Sequence, residues 1–147
     1  MALALSLAKT AYMKNEVPIG AIVVQNNRAI ASGYNLKEDA QNPCLHAEII
    51  AIQSACRILG TWRLTDCSLY TTLEPCLMCA GAISQARIKE VFYATPDLKG
   101  GACGSLYEIG SDQRLNHNFK TTGNICANEA SSLLKEFFQR KRLKPKN

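Results

Sequence analysis

Short β-branched runs alternate with segments of helical apolar spacing along this chain, and this alternation restricts the fold more than any other feature. Asn26-Asn27 separates the first two apolar runs and predicts a hairpin turn. Strands are predicted at 19–25, 29–34, 67–73, 88–94 and 119–122, and helices at 2–14, 46–59, 75–85, near 105–109 and at 126–141. This order predicts a three-layer α/β/α domain, with a mostly parallel sheet after the opening hairpin.

Length and hydropathy place the chain among soluble, single-domain proteins. Its 147 residues suffice for one compact core, so we expect a single domain over 1–147. No apolar run is long enough to cross a bilayer, and no membrane association is expected. The apolar start, 1–8, lacks a basic n-region and a clear cleavage site, so we interpret it as a structural helix and expect a cytoplasmic protein.

Cysteine content and charge limit the kinds of site and partner that this chain can have. The seven cysteines are odd in number and irregularly spaced, which argues against a disulfide framework. In a reducing compartment a close pair more often binds a metal or takes part in redox chemistry. The formal charge is +5, and basic residues crowd the last eight positions (Arg140, Lys141, Arg142, Lys144 and Lys146). Such a tail fits a polyanionic partner, and equally a solvated segment that aids solubility.

Two short motifs, each at a predicted helix start, carry the chemistry. The first is His46-Ala47-Glu48, and the second is the run Glu74-Pro75-Cys76-Leu77-Met78-Cys79. Cys76 and Cys79 are three residues apart, so they share one face of a helix and can bind one ion. Imidazole and thiolate are ligands that zinc prefers, and three protein ligands leave a fourth position for water. We therefore predict a catalytic Zn²⁺ held by His46, Cys76 and Cys79.

Glu48 is predicted to move protons, because it is not needed as a ligand. Residues two apart on a helix do not face each other, so Glu48 reaches the metal only if His46 lies at the very start of the helix. The N–H of Ala47 would then be unpaired and could donate to the substrate. One rival remains open. Cys44, two residues before His46, could fill the fourth position and make the zinc purely structural.

Separately, each motif is weak evidence, since a C-x-x-C pair can also be a redox pair or packed cysteines. Together, H-x-E and P-C-x-x-C are the signature of zinc deaminases that act on nucleobases. Further stretches resemble the bacterial tRNA adenosine deaminases: Glu16-Val17-Pro18-Ile19-Gly20-Ala21, His46-Ala47-Glu48-Ile49, Trp62-Arg63-Leu64, 72–82, and Leu115-Asn116-His117. The likeness runs from about 2 to 142, whereas the zinc motif alone marks the wider cytidine and deoxycytidylate deaminase superfamily.

This resemblance implies a cytidine-deaminase-like fold with a five-stranded mixed sheet flanked by helices. It implies one Zn²⁺ per subunit of a cytoplasmic homodimer. The implied activity is hydrolysis of the wobble adenosine of a tRNA anticodon to inosine, with release of ammonia and with an arginine tRNA as the substrate type. The implied partner is the tRNA anticodon stem-loop, and no DNA is expected.

The resemblance also implies substrate-binding roles. Asn35 matches an asparagine that contacts the target nucleotide. Its amide can donate to purine N7, which cytosine lacks. Asn116 and His117 match a pair near the anticodon loop, and Phe138 and Arg142 fall where the closing helix reaches RNA. Purely structural roles are open alternatives for these residues. Asn35 could form a turn, and His117 could be a packed or surface residue. The phenylalanines could pack in the core, where we place Phe137.

Two departures from the family pattern concern the pocket. The loop 95–104 is about one residue longer than in many relatives, so the family's acidic loop residue is either Asp97 or has no counterpart. Cys44 and Leu45 stand where relatives often carry smaller or hydroxylated residues. Two other functions compete with tRNA editing: deamination of free guanine, cytosine or a nucleoside, and a non-catalytic zinc-binding RNA module.

Overall fold

The computed structural model describes residues 1–143, so Lys144 and Lys146 of the predicted basic tail lie outside the described residues. Within this range the chain forms four helices and five strands. The helices are α1 (Ala2–Met13), α2 (Ala47–Leu59), α3 (Leu77–Gln85) and α4 (Ala127–Leu143). The strands are β1 (Gly20–Gln25), β2 (Arg28–Tyr34), β3 (Cys67–Leu73), β4 (Glu90–Thr95) and β5 (Lys120–Thr122). No helix among these residues is long and apolar enough to cross a membrane.

The five strands form one mixed sheet in the order β2-β1-β3-β4-β5. β1 is antiparallel to both β2 and β3, whereas β3, β4 and β5 are parallel to one another. Asn26 and Asn27 join β1 to β2 with φ values of 49° and 59°, as expected for the tight hairpin turn predicted there. The mixed sheet with a parallel part after the hairpin is therefore confirmed.

Two glycines show that helices cover both faces of the sheet. Gly20 pairs with Tyr34, and neighbours along a strand point to opposite faces, so Gly20 and Gly33 face opposite sides. A Cβ on Gly20 would lie 2.1 Å from the carbonyl oxygen of Ala4 in α1. A Cβ on Gly33 would lie 2.5 Å from the carbonyl oxygen of Ala47 in α2. α4 packs beside α1 and α3 beside α2, which completes the three layers.

Local signals explain where the helices begin and end. α2 ends at Gly60, whose φ of 65° is a left-handed conformation that glycine adopts without strain. The start predicted for the helix that follows β3 was two residues early. Pro75 precedes α3 by two residues, because Cys76 is the N-cap and the first helical residue is Leu77. The interior is formed mainly by small and branched side chains between sheet and helices, including Leu64, Leu69, Ile83, Ile88 and Val91.

The short helix predicted near 105–109 is wrong. The segment forms turns and a single bridge between Cys103 and Glu108. The backbone N–H groups of Cys103 and Ser105 donate to the carboxylate of Glu74, at 3.0 and 2.9 Å. The backbone N–H of Ile109, which in a helix over 105–109 would donate to the carbonyl oxygen of Ser105, donates instead to the carbonyl oxygen of Ala102 at 3.0 Å.

Candidate active site and metal centre

The predicted metal ligands meet where two helices begin. His46 is the N-cap residue of α2, and Cys76, three residues beyond the end of β3, is the N-cap residue of α3. Neither side chain makes a capping hydrogen bond, so both are free to point at a common centre. Helix N-termini carry partial positive charge, which stabilises thiolates in this position. The condition set by the sequence, His46 at the very start of its helix, is met.

The ligand atoms have the spacing of a tetrahedral zinc site. His46 Nδ1 lies 3.7 Å from Cys76 Sγ and 3.6 Å from Cys79 Sγ, and the three ligand atoms all lie within 4.8 Å of one another. A tetrahedral ion about 2.3 Å from sulfur and about 2.05 Å from nitrogen would place these ligands roughly 3.6 Å apart. The donor set and its geometry therefore fit Zn²⁺ without rearrangement.

Cys44 does not complete this cluster. Among residues 1–143, the group with metal-binding spacing consists of His46, Cys76 and Cys79, and Cys44 is exposed. A fourth protein thiolate, which would close the site, is thus absent from the described cluster. Three ligands leave a position for water, as a catalytic zinc requires.

The pKa values of the ligands reflect their contacts with one another. The hydrogen bond with Cys79, aided by His46 and opposed by burial, lowers the pKa of Cys76 to about 4. The same bond and burial raise the pKa of Cys79. The hydrogen bond with Cys76 raises the pKa of His46, against the effect of burial. Cys76 is therefore a thiolate at neutral pH, ready to bind a cation.

Glu48 lies beside the ligands and is almost fully buried, with 3% of its surface exposed. Its Oε2 is 3.5 Å from Cys79 Sγ, and its Oε1 accepts a hydrogen bond from the Thr71 hydroxyl at 3.0 Å. Burial raises the pKa of Glu48, although its own backbone N–H, His46 and Thr71 act in the opposite direction. A carboxyl group with a raised pKa, fixed in orientation, suits repeated gain and loss of a proton.

A cavity of about 1010 Å³ opens in front of His46. Its walls come from the segment before β1, the end of β3, the segments after β2 and β4, and one face of α4, which presents apolar and basic side chains. The basic residues of the lining are Lys37, Lys99, Lys135, Lys141 and Arg142, and Asp97 is its single acidic residue within the described chain. The arrangement favours an anionic ligand that is large enough to reach from the metal centre to α4.

The structure brings three of the six predicted substrate-binding residues to the lining of this cavity. Asn35, Phe138 and Arg142 line it. Phe138 is 46% exposed, whereas Phe137 is fully buried, which confirms the assignment of Phe137 to the core. Ala47 is the first residue of α2, and among the described residues its N–H has no acceptor.

Asn116 and His117 are not brought to the cavity of this chain. His117 Nε2 lies 2.8 Å from the carbonyl oxygen of Ile88, just before β4 begins, and Asn116 lies 3.5 Å from Arg87. The metal centre lies beyond the other end of the parallel strand pair, so the whole of β4, roughly 17 Å long, lies between them. A contact of these two residues with RNA stays a prediction.

Two buried glutamates of the site, Glu16 and Glu74, were assigned no function from the sequence, although both stand in the motifs quoted above. Glu16 is buried and accepts a hydrogen bond from the Asn35 side chain. Glu74 is buried and holds the loop 97–105 through its carboxylate. The signal for both was available, because each is a charged residue flanking an apolar strand, where an unpaired charge would be costly.

Fold and site together define a class, the zinc deaminases that act on nucleobases. The family model of the cytidine and deoxycytidylate deaminase zinc-binding region matches residues 1–95, which include all three ligands. A tRNA-specific adenosine deaminase of Bacillus subtilis is 43% identical over 143 residues, covering 97% of this chain and 89% of the relative. The chain belongs to this deaminase family and, within it, to the group of tRNA-specific adenosine deaminases.

Two solved structures complete the comparison. One comes from a study of A-to-I editing by tRNA deaminases at the wobble position of transfer RNA. It is 41% identical, has a TM-score of 0.88, and the match covers 91% of this chain and 97% of that one. The other is a guanine deaminase from Bacillus subtilis, 31% identical with a TM-score of 0.63, covering 99% of this chain and 94% of that one. The fold is thus shared by enzymes named for different purines.

Proposed function

We propose that this chain hydrolyses adenosine to inosine at the wobble position of a tRNA anticodon, with an arginine tRNA as its substrate. One observation carries the proposal. The candidate metal ligand His46 lines the same cavity as the face of α4 that carries Phe138 and Arg142. Relatives named for this activity share about two fifths of the sequence over nearly its whole length.

His46, Cys76 and Cys79 would hold one Zn²⁺ per subunit. Bound there, zinc supplies Lewis-acid activation of a water molecule for attack on the carbon that carries the exocyclic amine. Glu48 would take one proton from that water and deliver it to N1 of the purine, and would then carry the remaining hydroxyl proton to the departing amine, so that adenosine and water become inosine and ammonia. Thr71 keeps the carboxylate of Glu48 in place during both transfers. The N–H of Ala47 donates to the bound base.

The α4 wall accommodates the RNA around the target base. A base in an anticodon loop can turn out of its stack at lower cost than a base in a duplex. Phe138 offers an exposed ring for stacking, and Arg142 with its neighbouring lysines offers charge for phosphate groups. Deamination of a free base needs neither feature. We place the enzyme in the cytoplasm, where tRNA is found.

A homodimer would explain the position of Asn116 and His117. Both lie near the start of β4, at the far end of the sheet from the cavity, where they could contact RNA that is bound in the cavity of a neighbouring subunit. Leu77, Leu106 and Tyr107 are each about half exposed, which is apolar surface that a second copy would cover. Light scattering of the purified protein measures the mass directly, and a monomer at micromolar concentration would contradict this arrangement.

The decisive assay is incubation of the zinc-loaded protein with an arginine tRNA that carries adenosine at the wobble position, followed by nucleoside analysis for inosine. Free adenosine, cytidine and guanine are tested beside it. Glu48→Gln is the matched inactive control, because it keeps the shape of the side chain and removes the proton transfer. Conversion of a free base with the tRNA untouched would refute the substrate assignment.

Free guanine is the second candidate substrate, because the guanine deaminase structure shares this fold at 31% identity. Deleting 140–147 separates the two functions. The deletion removes Arg142 from the cavity wall, so it should abolish tRNA editing and spare guanine deamination. A non-catalytic RNA-binding module is the third candidate, and it would keep its biological role in the Glu48→Gln variant.

A further inference from the structure

Glu16 is a buried carboxylate beside the cavity, and the chemistry above does not use it. Only 1% of its surface is exposed. Its Oε2 accepts a hydrogen bond from Asn35 Nδ2 at 2.9 Å, and its Oε1 accepts one from the backbone N–H of Asp39 at 2.6 Å. Both donors lie just after β2, on the segment that leads to His46. Glu16 thus holds this wall of the cavity from behind.

The carboxylate fixes which way the Asn35 amide points. A carboxylate only accepts hydrogen bonds, so the Nδ2 end of the Asn35 amide must face Glu16. In a flipped amide, Oδ1 of Asn35 would face Oε2 of Glu16, and two acceptors would repel each other. Asn35 is itself 3% exposed and lines the cavity. Among the described residues its Oδ1 has no hydrogen-bond donor. The amide therefore keeps Oδ1 and one N–H for a ligand, in a fixed order.

The Oδ1 acceptor and the remaining Nδ2–H donor of Asn35 match one edge of a purine. Adenine presents an acceptor at N7 beside its exocyclic amine, whereas cytosine presents a donor and has no N7. A freely flipping amide would serve either base, because it can offer its oxygen or its nitrogen at one place. An amide with its orientation fixed discriminates, because the wrong base leaves a buried polar group unpaired.

We propose that Glu16 is a specificity-determining residue, which holds the Asn35 amide in the orientation that recognises purine N7. The inference rests on the proposed deaminase function and adds the reason why the site accepts a purine. Glu16 is buried behind Asn35 and is not part of the cavity lining, so its role is positional.

The test combines a protein variant with a substrate that lacks only the N7 acceptor. Anticodon stem-loops carry either adenosine or 7-deazaadenosine at the wobble position, and kcat/KM is measured for both. In the wild-type protein the loss of N7 should lower kcat/KM about tenfold, as expected for one hydrogen bond. In Glu16→Gln the Gln amide can face either end of Asn35, so this N7 effect should fall to about twofold or less. Asn35→Ala should abolish it.

Glu38→Gln is the matched control, since Glu38 is exposed on the same segment and should keep the full tenfold effect. Melting temperature and zinc content are measured for every variant. If Glu16→Gln does not fold, Glu16→Asp replaces it, because one methylene less withdraws the carboxylate from Asn35. A purely structural role would lower activity on both stem-loops equally. An unchanged N7 effect in the Glu16 variant, or no N7 effect in the wild type, would overturn the proposal.

Failure of the proposed function has a different outcome. The wild-type protein would then leave the adenosine stem-loop unreacted. The same variants are in that case compared on guanine and 7-deazaguanine, where the N7 effect and its loss are again expected.

Discussion

Replacing Glu74 by Gln should loosen the loop that forms one wall of the cavity. The carboxylate of Glu74 accepts hydrogen bonds from the backbone N–H groups of Asp97, Cys103 and Ser105 and from the Ser105 hydroxyl. Gly101 approaches so closely that a Cβ there would lie 2.3 Å from the carboxyl carbon. One side chain at the end of β3 thus organises residues 97–105, of which 97–99 line the cavity.

The magnitude follows from the number of donors that lose their acceptor. Gln keeps one oxygen, which can still accept from Cys103 and Ser105. Its NH₂ group faces the Asp97 N–H, which then has no acceptor. An unpaired, partly buried N–H costs about 1–3 kcal/mol, and the two remaining bonds lose their charge-assisted part, so we expect about 2–4 kcal/mol in all. For a domain of this size that corresponds to a fall in Tm of roughly 5–15 °C.

pH adds an independent signature. Burial acts to raise the pKa of Glu74, but the hydrogen bonds from Ser105, Asp97 and Cys103 prevail, and the pKa lies below its ordinary value of 4.5. A lowered pKa means that this carboxylate stabilises the fold above the unfolded-state pKa, and that the contribution is lost as pH falls through the folded-state pKa. Glu74→Gln should therefore be less sensitive than the wild type to acid below about pH 4.5.

Thermal unfolding followed by circular dichroism, together with hydrogen exchange of 95–105, measures both effects. Gly101→Ala, which forces the same loop away from Glu74, should reproduce the faster exchange. Glu108→Gln is the matched control, because Glu108 is an exposed glutamate three residues beyond this loop. Wild-type stability and wild-type exchange of the loop in Glu74→Gln would refute the reasoning.

Three further predictions concern Glu48, the face of α4 that carries Phe138, and the metal. Glu48→Gln should lower kcat by about 10²–10⁴-fold with zinc content unchanged, as measured by metal analysis, and lost zinc would instead make Glu48 a ligand. Phe138→Ala should weaken tRNA binding by about 1–3 kcal/mol in a filter assay with little change in Tm, whereas Phe137→Ala should destabilise the fold by about 3–5 kcal/mol. Chelation should abolish activity and lower Tm, and added Zn²⁺ should restore both; activity that survives complete chelation would contradict a zinc enzyme.

The sequence alone located the four helices, the five strands and the three candidate metal ligands, although it also predicted one helix that is not there. Periodicity of apolar residues is a local property, so the strands and helices could be located to within one or two residues in most cases. The metal ligands were predictable for a similar reason. Two ligands sit three residues apart at a helix start, His46 sits at another helix start, and thiolate and imidazole chemistry selects the ion. A resemblance over the whole chain supplied the predicted nucleotide contacts, which stay predictions.

Tertiary structure decided what the pocket wall is made of. Glu16 meets Asn35 across 19 positions of sequence, and Glu74 meets the 97–105 loop across 23 to 31. No local pattern encodes such contacts, because a buried carboxylate is tolerated only where the folded chain brings donors to it. Near 105–109 the backbone pairs Ile109 with Ala102 and forms turns in place of the predicted helix. Asn116 and His117 stand at the far end of the sheet, since strand direction, and not motif, sets their place.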